Sequence, residues 1–301
     1  FFYYNYIFMI IGEGYYLIQS ILIDIPHVIP KIKINSDNKI LLDTIYIQYM
    51  PYVKKNKISD HIFNEKCLRI VEIEILKHVN KAKSKIIFNG QEYILDTINL
   101  ISGITNILHR ILTTEEDYLF LHGAAVSVNN KSVLFLGESN AGKSTTSMYL
   151  LKKGYQYITD DKAVININNY SIMLFDRPIH LRLGGIELLK NKYGMDLNTK
   201  KIDYFNDFRY IYYVNQKKFE IPSIEYLAIL KRNDNGVNFI NELNGLDAFE
   251  SILKNCYCSN NMSENVVKVF KLVANIKVIN IMYSELHYLE NALSKLLNGT
   301  K

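Results

Sequence analysis

Val133-Leu134-Phe135-Leu136-Gly137-Glu138-Ser139-Asn140-Ala141-Gly142-Lys143-Ser144 is the stretch on which the fold turns. Four apolar residues predict a strand. The next eight satisfy G-x-x-x-x-G-K-[ST]. Lys143–Leu151 then reads as a helix closed by Gly154, a residue type favoured just past a helix end. Strand, glycine loop and helix in that order make a phosphate-binding unit. Gly137 and Gly142 let the backbone curl so that successive amides point inward at phosphate oxygens. The helix N-terminus adds a field favourable to an anion. Lys143 reaches the outer phosphates, and the Ser144 hydroxyl is a ligand for Mg²⁺, which prefers oxygen. The candidate nucleotide-binding residues are therefore Gly137, Glu138, Ser139, Asn140, Ala141, Gly142, Lys143, Ser144 and Thr145. ATP is the favoured nucleotide, because no guanine-reading N-K-x-D element follows the loop.

Downstream, Tyr157-Ile158-Thr159 reads as a strand running into Asp160-Asp161. Ligands of parallel-sheet proteins collect at such strand ends. One carboxylate there can hold Mg²⁺ through its water shell. The other can accept a proton from an incoming hydroxyl, as phosphoryl transfer to an alcohol requires. A solvated turn with two acidic residues is the competing reading. Upstream, His122 lies in Phe120-Leu121-His122-Gly123. Alone it would be an ordinary core or surface histidine. Close to a phosphate site it can orient an aspartate or contact a phosphoryl oxygen.

Composition narrows the classes that remain. With 301 residues, 49% of them hydrophobic and 22% charged, the chain can build one large core or two small ones. Net charge is +5, without a block of like charges. Nucleic-acid binding has no compositional support beyond weak attraction, and the 23 Tyr and 14 Phe are read as core and strand residues rather than stacking platforms. The apolar run Phe1–Ile11 is too short to span a bilayer, and no basic segment or cleavage site marks a signal peptide. No membrane association is expected. Three cysteines, Cys67, Cys256 and Cys258, fit reduced thiols in a cytoplasm. Cys256-Tyr257-Cys258 lacks partners at zinc-binding spacing.

The first hundred residues read mostly as strands: Tyr15–Asp24, Ile40–Met50, Leu68–Leu76, and a hairpin of Lys85–Phe88 and Glu92–Leu95 around Asn89-Gly90. Ile98 to Ile111 has helical spacing. Thr113–Tyr118 breaks the apolar pattern. This divides the chain into a β-rich N-terminal region with one helix, 1–117, and a nucleotide-binding domain, 118–301. Within the latter, Ala124–Val128 and Ser132–Leu136 are strands, Val164–Ile167 and Ser171–Phe175 form a hairpin, and Ile224–Leu230 and Ile276–Met282 are strands. Gly185–Tyr193, Leu246–Lys254, Glu264–Val273 and His287–Leu297 are helices.

Phe120-Leu121-His122-Gly123, the glycine loop and Asp160-Asp161 together resemble the catalytic domain of HPr kinase/phosphorylase over about residues 118–165. The resemblance implies an α/β fold with a P-loop nucleotide core of HPr kinase and phosphoenolpyruvate carboxykinase type. It implies ATP and Mg²⁺, an acceptor serine on a peptide or small protein, and the possibility of a homo-oligomer. It assigns proton acceptance to Asp161, the metal side to Asp160 and Ser144, the β- and γ-phosphates to Lys143, and an active-site role to His122, so the implied catalytic residues are Asp161, His122 and Lys143. The family's next signature, L-E-I-R-G-L-G-I, matches Ile179–Ile186 with Arg182 and Gly185 kept and His180 in place of the metal-binding glutamate. Glu187 is a weak substitute. The segment after Gly185 does not resemble the family's phosphorolysis segment, which implies a kinase without the reverse activity. The layout is similar to HPr-kinase-like enzymes of bacterial peptide biosynthetic clusters, several of which phosphorylate a serine of a ribosomally made precursor such as a lasso peptide.

Arg177, Arg182 and Arg209 are candidates to steady transferring oxygens, and Tyr210–Tyr213 to line an acceptor groove. Two other functions stay open: a nucleotide-binding regulatory protein with little catalysis, and a small-molecule kinase acting on free serine.

Overall fold

The computed structural model describes residues 5–11, 14–23, 31–36, 42, 45, 70–80, 83–88, 91–96, 117–172, 177–203, 208–215, 223–257 and 262–298. The chain divides into two compact units, Phe1–Leu112 and Thr113–Lys301.

The described strands of the first unit form one six-stranded sheet: β1 (Asn5–Ile11), β2 (Gly14–Ile23), β3 (Lys31–Ser36), β4 (Ile70–Asn80), β5 (Lys83–Phe88) and β6 (Gln91–Asp96), paired in chain order. All neighbours are antiparallel except β3 and β4. Of the apolar run Phe1–Ile11, Asn5–Ile11 forms β1, with Ile11 opposite Gly14. Phe88 pairs with Gln91 on either side of the expected Asn89-Gly90, which lies outside the described residues. One expectation fails. Ile40–Met50 reads as a strand, yet Leu42 and Ile45 are helical and buried. Three residues apart, they share a helix face, and β-branched content misled because packing overrides propensity. The helix expected over 98–111 lies outside the described residues.

In the second unit β7 (Tyr118–Leu121), β8 (Ala124–Val128) and β9 (Lys131–Leu136) lead into the glycine loop and α1 (Lys143–Lys152). Next come β10 (Gln156–Thr159), β11 (Ala163–Asn166), β12 (Ile179–Leu181), α2 (Leu183–Glu187), β13 (Lys200–Asp203), β14 (Phe208–Tyr212), β15 (Ile224–Arg232) and β16 (Phe239–Glu242). Helices α3 (Gly245–Leu253) and α4 (Met262–Asn275), strand β17 (Lys277–Tyr283) and α5 (Leu286–Asn298) complete it. α2 continues as a π-turn over Leu188–Lys192, so the helix expected at Gly185–Tyr193 begins two residues earlier and changes its hydrogen bonding midway. The expected hairpin after Val164 survives as a single bridge, Ile165 to Ile172, while β11 pairs with β7. Residues 173–176 lie outside the described set.

The central sheet runs β10-β8-β9-β15-β17-β16. It is mixed rather than parallel. β9, β15 and β17 are parallel, and β8 is antiparallel to both β9 and β10. β10 therefore points the same way as β9, so the glycine loop and Asp160-Asp161 emerge at one sheet edge. The β8–β9 connection is a tight turn with Asn129 and Asn130 both left-handed, at φ 50° and 61°.

Alternation along each strand builds a core on either face. Val133 and Phe135 of β9, Ala228 and Leu230 of β15 and Ile279 and Ile281 of β17 pack with Tyr149 and Leu150 of α1 and Leu289 and Leu293 of α5. Leu134, Leu136, Leu227 and Val278 face the opposite way, onto Ala248 and Ile252 of α3 and Val269 and Leu272 of α4. Among the described residues no helix is long and apolar enough to cross a membrane.

Candidate active site

At the shared strand edge lies a cleft of about 560 Å³. His122, Ser139, Asn140, Gly142, Lys143, Ser144, Thr145, Asp160 and Asp161 line it, which brings most of the sequence-selected residues together. Gly137, Glu138 and Ala141 do not line it and act through the backbone. The Gly137 and Glu138 carbonyls accept from Lys143 Nζ at 2.7 and 3.1 Å, and the Ala141 carbonyl accepts from Tyr283 Oη at 2.8 Å.

The loop needs its glycines. Gly137 and Gly142 have φ of +143° and +91°. A Cβ on Gly137 would sit 2.6 Å from the Leu230 carbonyl oxygen, and one on Gly142 would sit 2.1 Å from Tyr283 Oη. Gly142 is the N-cap of α1 and supplies no side chain to it, so the first amides of the helix are uncapped by side chains. Lys143 is buried, and burial lowers its pKa.

The two aspartates occupy opposite environments. Asp160 is 1% exposed. Its Oδ1 accepts from Ser144 Oγ at 2.9 Å and its Oδ2 from the His180 amide at 3.1 Å. Burial, then the charge of Asp161, pushes its pKa up to about 6. Asp161 has a side chain 40% exposed and a left-handed backbone at φ 68°. Its Oδ2 accepts from Arg177 Nη1 at 2.9 Å, and His122 Nδ1 lies 3.2 Å from Oδ1. Burial opposes ionisation, but the His122 hydrogen bond and the Arg177 charge outweigh it and hold the carboxyl well below the usual range. The two neighbouring carboxyls thus have their pKa values driven apart, Asp160 upward and Asp161 downward.

The arginine candidates sort by geometry. Arg177 is 3% exposed and stands behind Asp161. Arg182 and Arg209 line the cleft, and Arg182 binds Asn140 Oδ1. His180 lines the cleft too; burial, then the Arg177 charge, drives its pKa down to about 3, and its Nε2 has no hydrogen-bond partner among the described residues. Glu187 is exposed and does not line the cleft, so it is no substitute ligand. Tyr210 and Tyr212 pack against the core from β14, which is paired on both sides, and they do not line the cleft.

Sequence reading missed Arg232, at the end of β15, which lines the cleft. It also missed Asn255 and Tyr257, just past α3. Asn255 Oδ1 accepts from the Gly137 amide at 3.3 Å and its carbonyl from the His122 amide at 2.7 Å. Tyr257 Oη donates to the Asp161 carbonyl at 2.9 Å. The only signal nearby was Cys256-Tyr257-Cys258, read for its thiols. Cys256 Sγ donates to the Ile252 carbonyl at 3.6 Å, and Cys258 lies outside the described residues.

The residues fit an Mg²⁺–triphosphate. A hydroxyl and a carboxylate stand 2.9 Å apart beside uncapped amides and a buried ammonium. Among the described residues no cluster of three or more His, Cys, Asp or Glu side chains is arranged to hold a metal. Mg²⁺ needs none, because it keeps waters and takes phosphate oxygens.

No protein-family model matches the chain. Curated relatives do. An HPr kinase/phosphorylase of Thermoanaerobacter sp. (strain X514) is 28% identical over 177 residues, 54% of this chain and 56% of the relative. One of Clostridium botulinum (strain Eklund 17B / Type B) is 34% identical over 117 residues, 38% of this chain and 37% of the relative. The chain is similar to HPr kinase/phosphorylases. The matches span 56% and 37% of the length of these two relatives. Among solved structures, the HPr(Ser) kinase/phosphatase from Coxiella burnetii aligns with 60% of this chain and 94% of its own, at 15% identity and a TM-score of 0.29. That score is too low to bear on the fold.

Proposed function

We propose that the chain is an ATP-dependent kinase that transfers the γ-phosphate to a serine hydroxyl of a peptide or small protein. The observation that carries the proposal is Asp161. It is half-exposed at the cleft, pinned by Arg177 and His122, next to the Ser144–Asp160 pair and one cleft away from Lys143.

The glycine loop amides and Lys143 would hold the triphosphate, and Ser144 and Asp160 would hold Mg²⁺, which would supply neutralisation of phosphate charge. The acceptor hydroxyl gives its proton to the Asp161 carboxylate as its oxygen bonds to the γ-phosphorus. The bond from that phosphorus to the β–γ bridging oxygen breaks, and ADP leaves. Asp161 is a weak base while Arg177 and His122 face it alone. The negative charge of a bound triphosphate opposes them and moves its pKa back up. Arg182 and Arg209 stand at the cleft to steady phosphate oxygens.

By resemblance of layout, the acceptor we infer is a ribosomally made precursor peptide. The test is phosphate transfer from labelled ATP with Mg²⁺, offering a serine-bearing peptide and free serine separately. Asp161→Asn is expected to lower the transfer rate about 10²–10⁴-fold while nucleotide affinity holds. Nucleotide binding without transfer to any hydroxyl refutes the proposal. Transfer to free serine alone replaces the peptide with a small-molecule acceptor.

A further inference from the structure

Asn255, Cys256 and Tyr257 follow α3 and lie along the end of β7. The Tyr257 amide donates to the Phe120 carbonyl at 3.0 Å, Leu121 and Cys256 form a β-bridge, and the His122 amide donates to the Asn255 carbonyl at 2.7 Å. The same short segment holds the first amide of the glycine loop through Asn255 Oδ1. Its backbone is thus registered against both His122 and the loop.

From that position the Tyr257 ring meets the His122 ring edge-on, with centroids 6.0 Å apart at 89°. A phenol has one proton. Here it goes to the Asp161 carbonyl, 2.9 Å away. The Tyr257 oxygen can then only accept, and His122 Nδ1 stands 3.1 Å from it. On its other side Nδ1 faces Asp161 Oδ1 at 3.2 Å, and an ionised carboxylate is an acceptor only. Two acceptors converge on one ring nitrogen, so that nitrogen carries a proton and the lone pair of the neutral imidazole sits on Nε2.

We propose that Tyr257 is a positioning residue: its hydroxyl keeps the proton of His122 on Nδ1 and ties down the left-handed backbone of Asp161, so that both face the cleft in one fixed relation. Only the kinetic consequence rests on the kinase reading above. Tyr257 touches neither nucleotide nor acceptor in this scheme. It acts through His122 and Asp161.

Two measurements test it. In ¹⁵N spectra of the full wild-type chain with labelled histidines, His122 assigned by loss of its signals in His122→Asn, the neutral ring is expected to show a protonated Nδ1 and an unprotonated Nε2. The opposite tautomer overturns the proposal whether or not the chain is a kinase, and needs no Tyr257 variant to fold. In the transfer assay, Tyr257→Phe is expected to lower kcat about 10–100-fold, the range a misplaced catalytic group produces, with the KM for ATP within about twofold. In the Asp161→Asn background the same change is expected to cost less than in the wild type, because only the His122 route remains. An equal loss in both backgrounds, or a loss seen only in KM, overturns the positioning role. Absence of transfer by the wild type refutes the kinase reading instead, and the spectrum then decides Tyr257 alone.

Discussion

Replacing Gly142 with alanine places a methyl group 2.1 Å from Tyr283 Oη. Two separate penalties follow. The φ of +91° is strained for any residue with a Cβ, which costs about 1–3 kcal/mol. The contact also forces the phenol aside. Tyr283 is 2% exposed and donates to the Ala141 carbonyl at 2.8 Å, so its displacement leaves a buried acceptor unpaired, at about 1–3 kcal/mol. Gly142→Ala is thus expected to lower unfolding free energy by about 2–6 kcal/mol. Tyr283→Phe alone loses the same hydrogen bond and costs about 1–3 kcal/mol. In the double variant the clashing oxygen is gone, and the nearest ring carbon, Cζ, lies 3.5 Å from the new methyl, an ordinary contact. Its cost should match that of Gly142→Ala alone rather than the sum of the singles. Urea denaturation of all four proteins, followed by circular dichroism, closes the cycle. Simple additivity would show that the close approach of Tyr283 to the loop is not what Gly142 serves.

Titration behaviour offers a second check. Asp160 goes from 3.8 when unfolded to about 6 when folded, so between those values the folded chain holds more protons and this group's contribution falls as pH rises. His180 goes from 6.5 to about 3, so the unfolded chain holds more protons and its contribution rises with pH. The two slopes, about 1.4 kcal/mol per pH unit each at most, oppose one another where the windows overlap. Asp160→Asn removes one of them. Its unfolding free energy should rise more steeply between about pH 4 and 6 than the wild type's, and an equal or shallower slope contradicts the assigned directions. At α3, Asn244 accepts from the Asp247 amide at 2.9 Å, so Asn244→Ala should cost about 1 kcal/mol in the same denaturation assay without altering ATP affinity. A change in affinity would link that cap to the cleft.

The parts of the site carried by contiguous residues were legible. Gly137 to Ser144 declare themselves because loop curvature, helix start and lysine reach are all local. Asp160-Asp161 follow because a strand end is local too. Asn255 and Tyr257 were not legible. Tyr257 reaches His122 and Asp161 across 135 and 96 residues of chain, and nothing in Asn-Cys-Tyr-Cys signals that the tyrosine has its oxygen on a carbonyl in the turn between β10 and β11. Arg177 was named, but only coordinates separate it, buried behind Asp161, from Arg182 and Arg209 at the cleft surface. In the first unit Leu42 and Ile45 show the usual failure. Isoleucine-rich segments satisfy strand propensity and helix spacing alike, and packing decides between them. Strand directions in the sheet were not read from the sequence, for another reason. Strand direction depends on which neighbours pair, and that information is non-local.

Lys143 has folded its charge back onto its own loop, with two of its three ammonium protons engaged by the Gly137 and Glu138 carbonyls. An arriving anion meets a partner with one ammonium proton left, and any further bond it takes comes from one of two backbone oxygens; the strand that ends at Leu136 feels that exchange directly, because the first of those oxygens belongs to the very next residue.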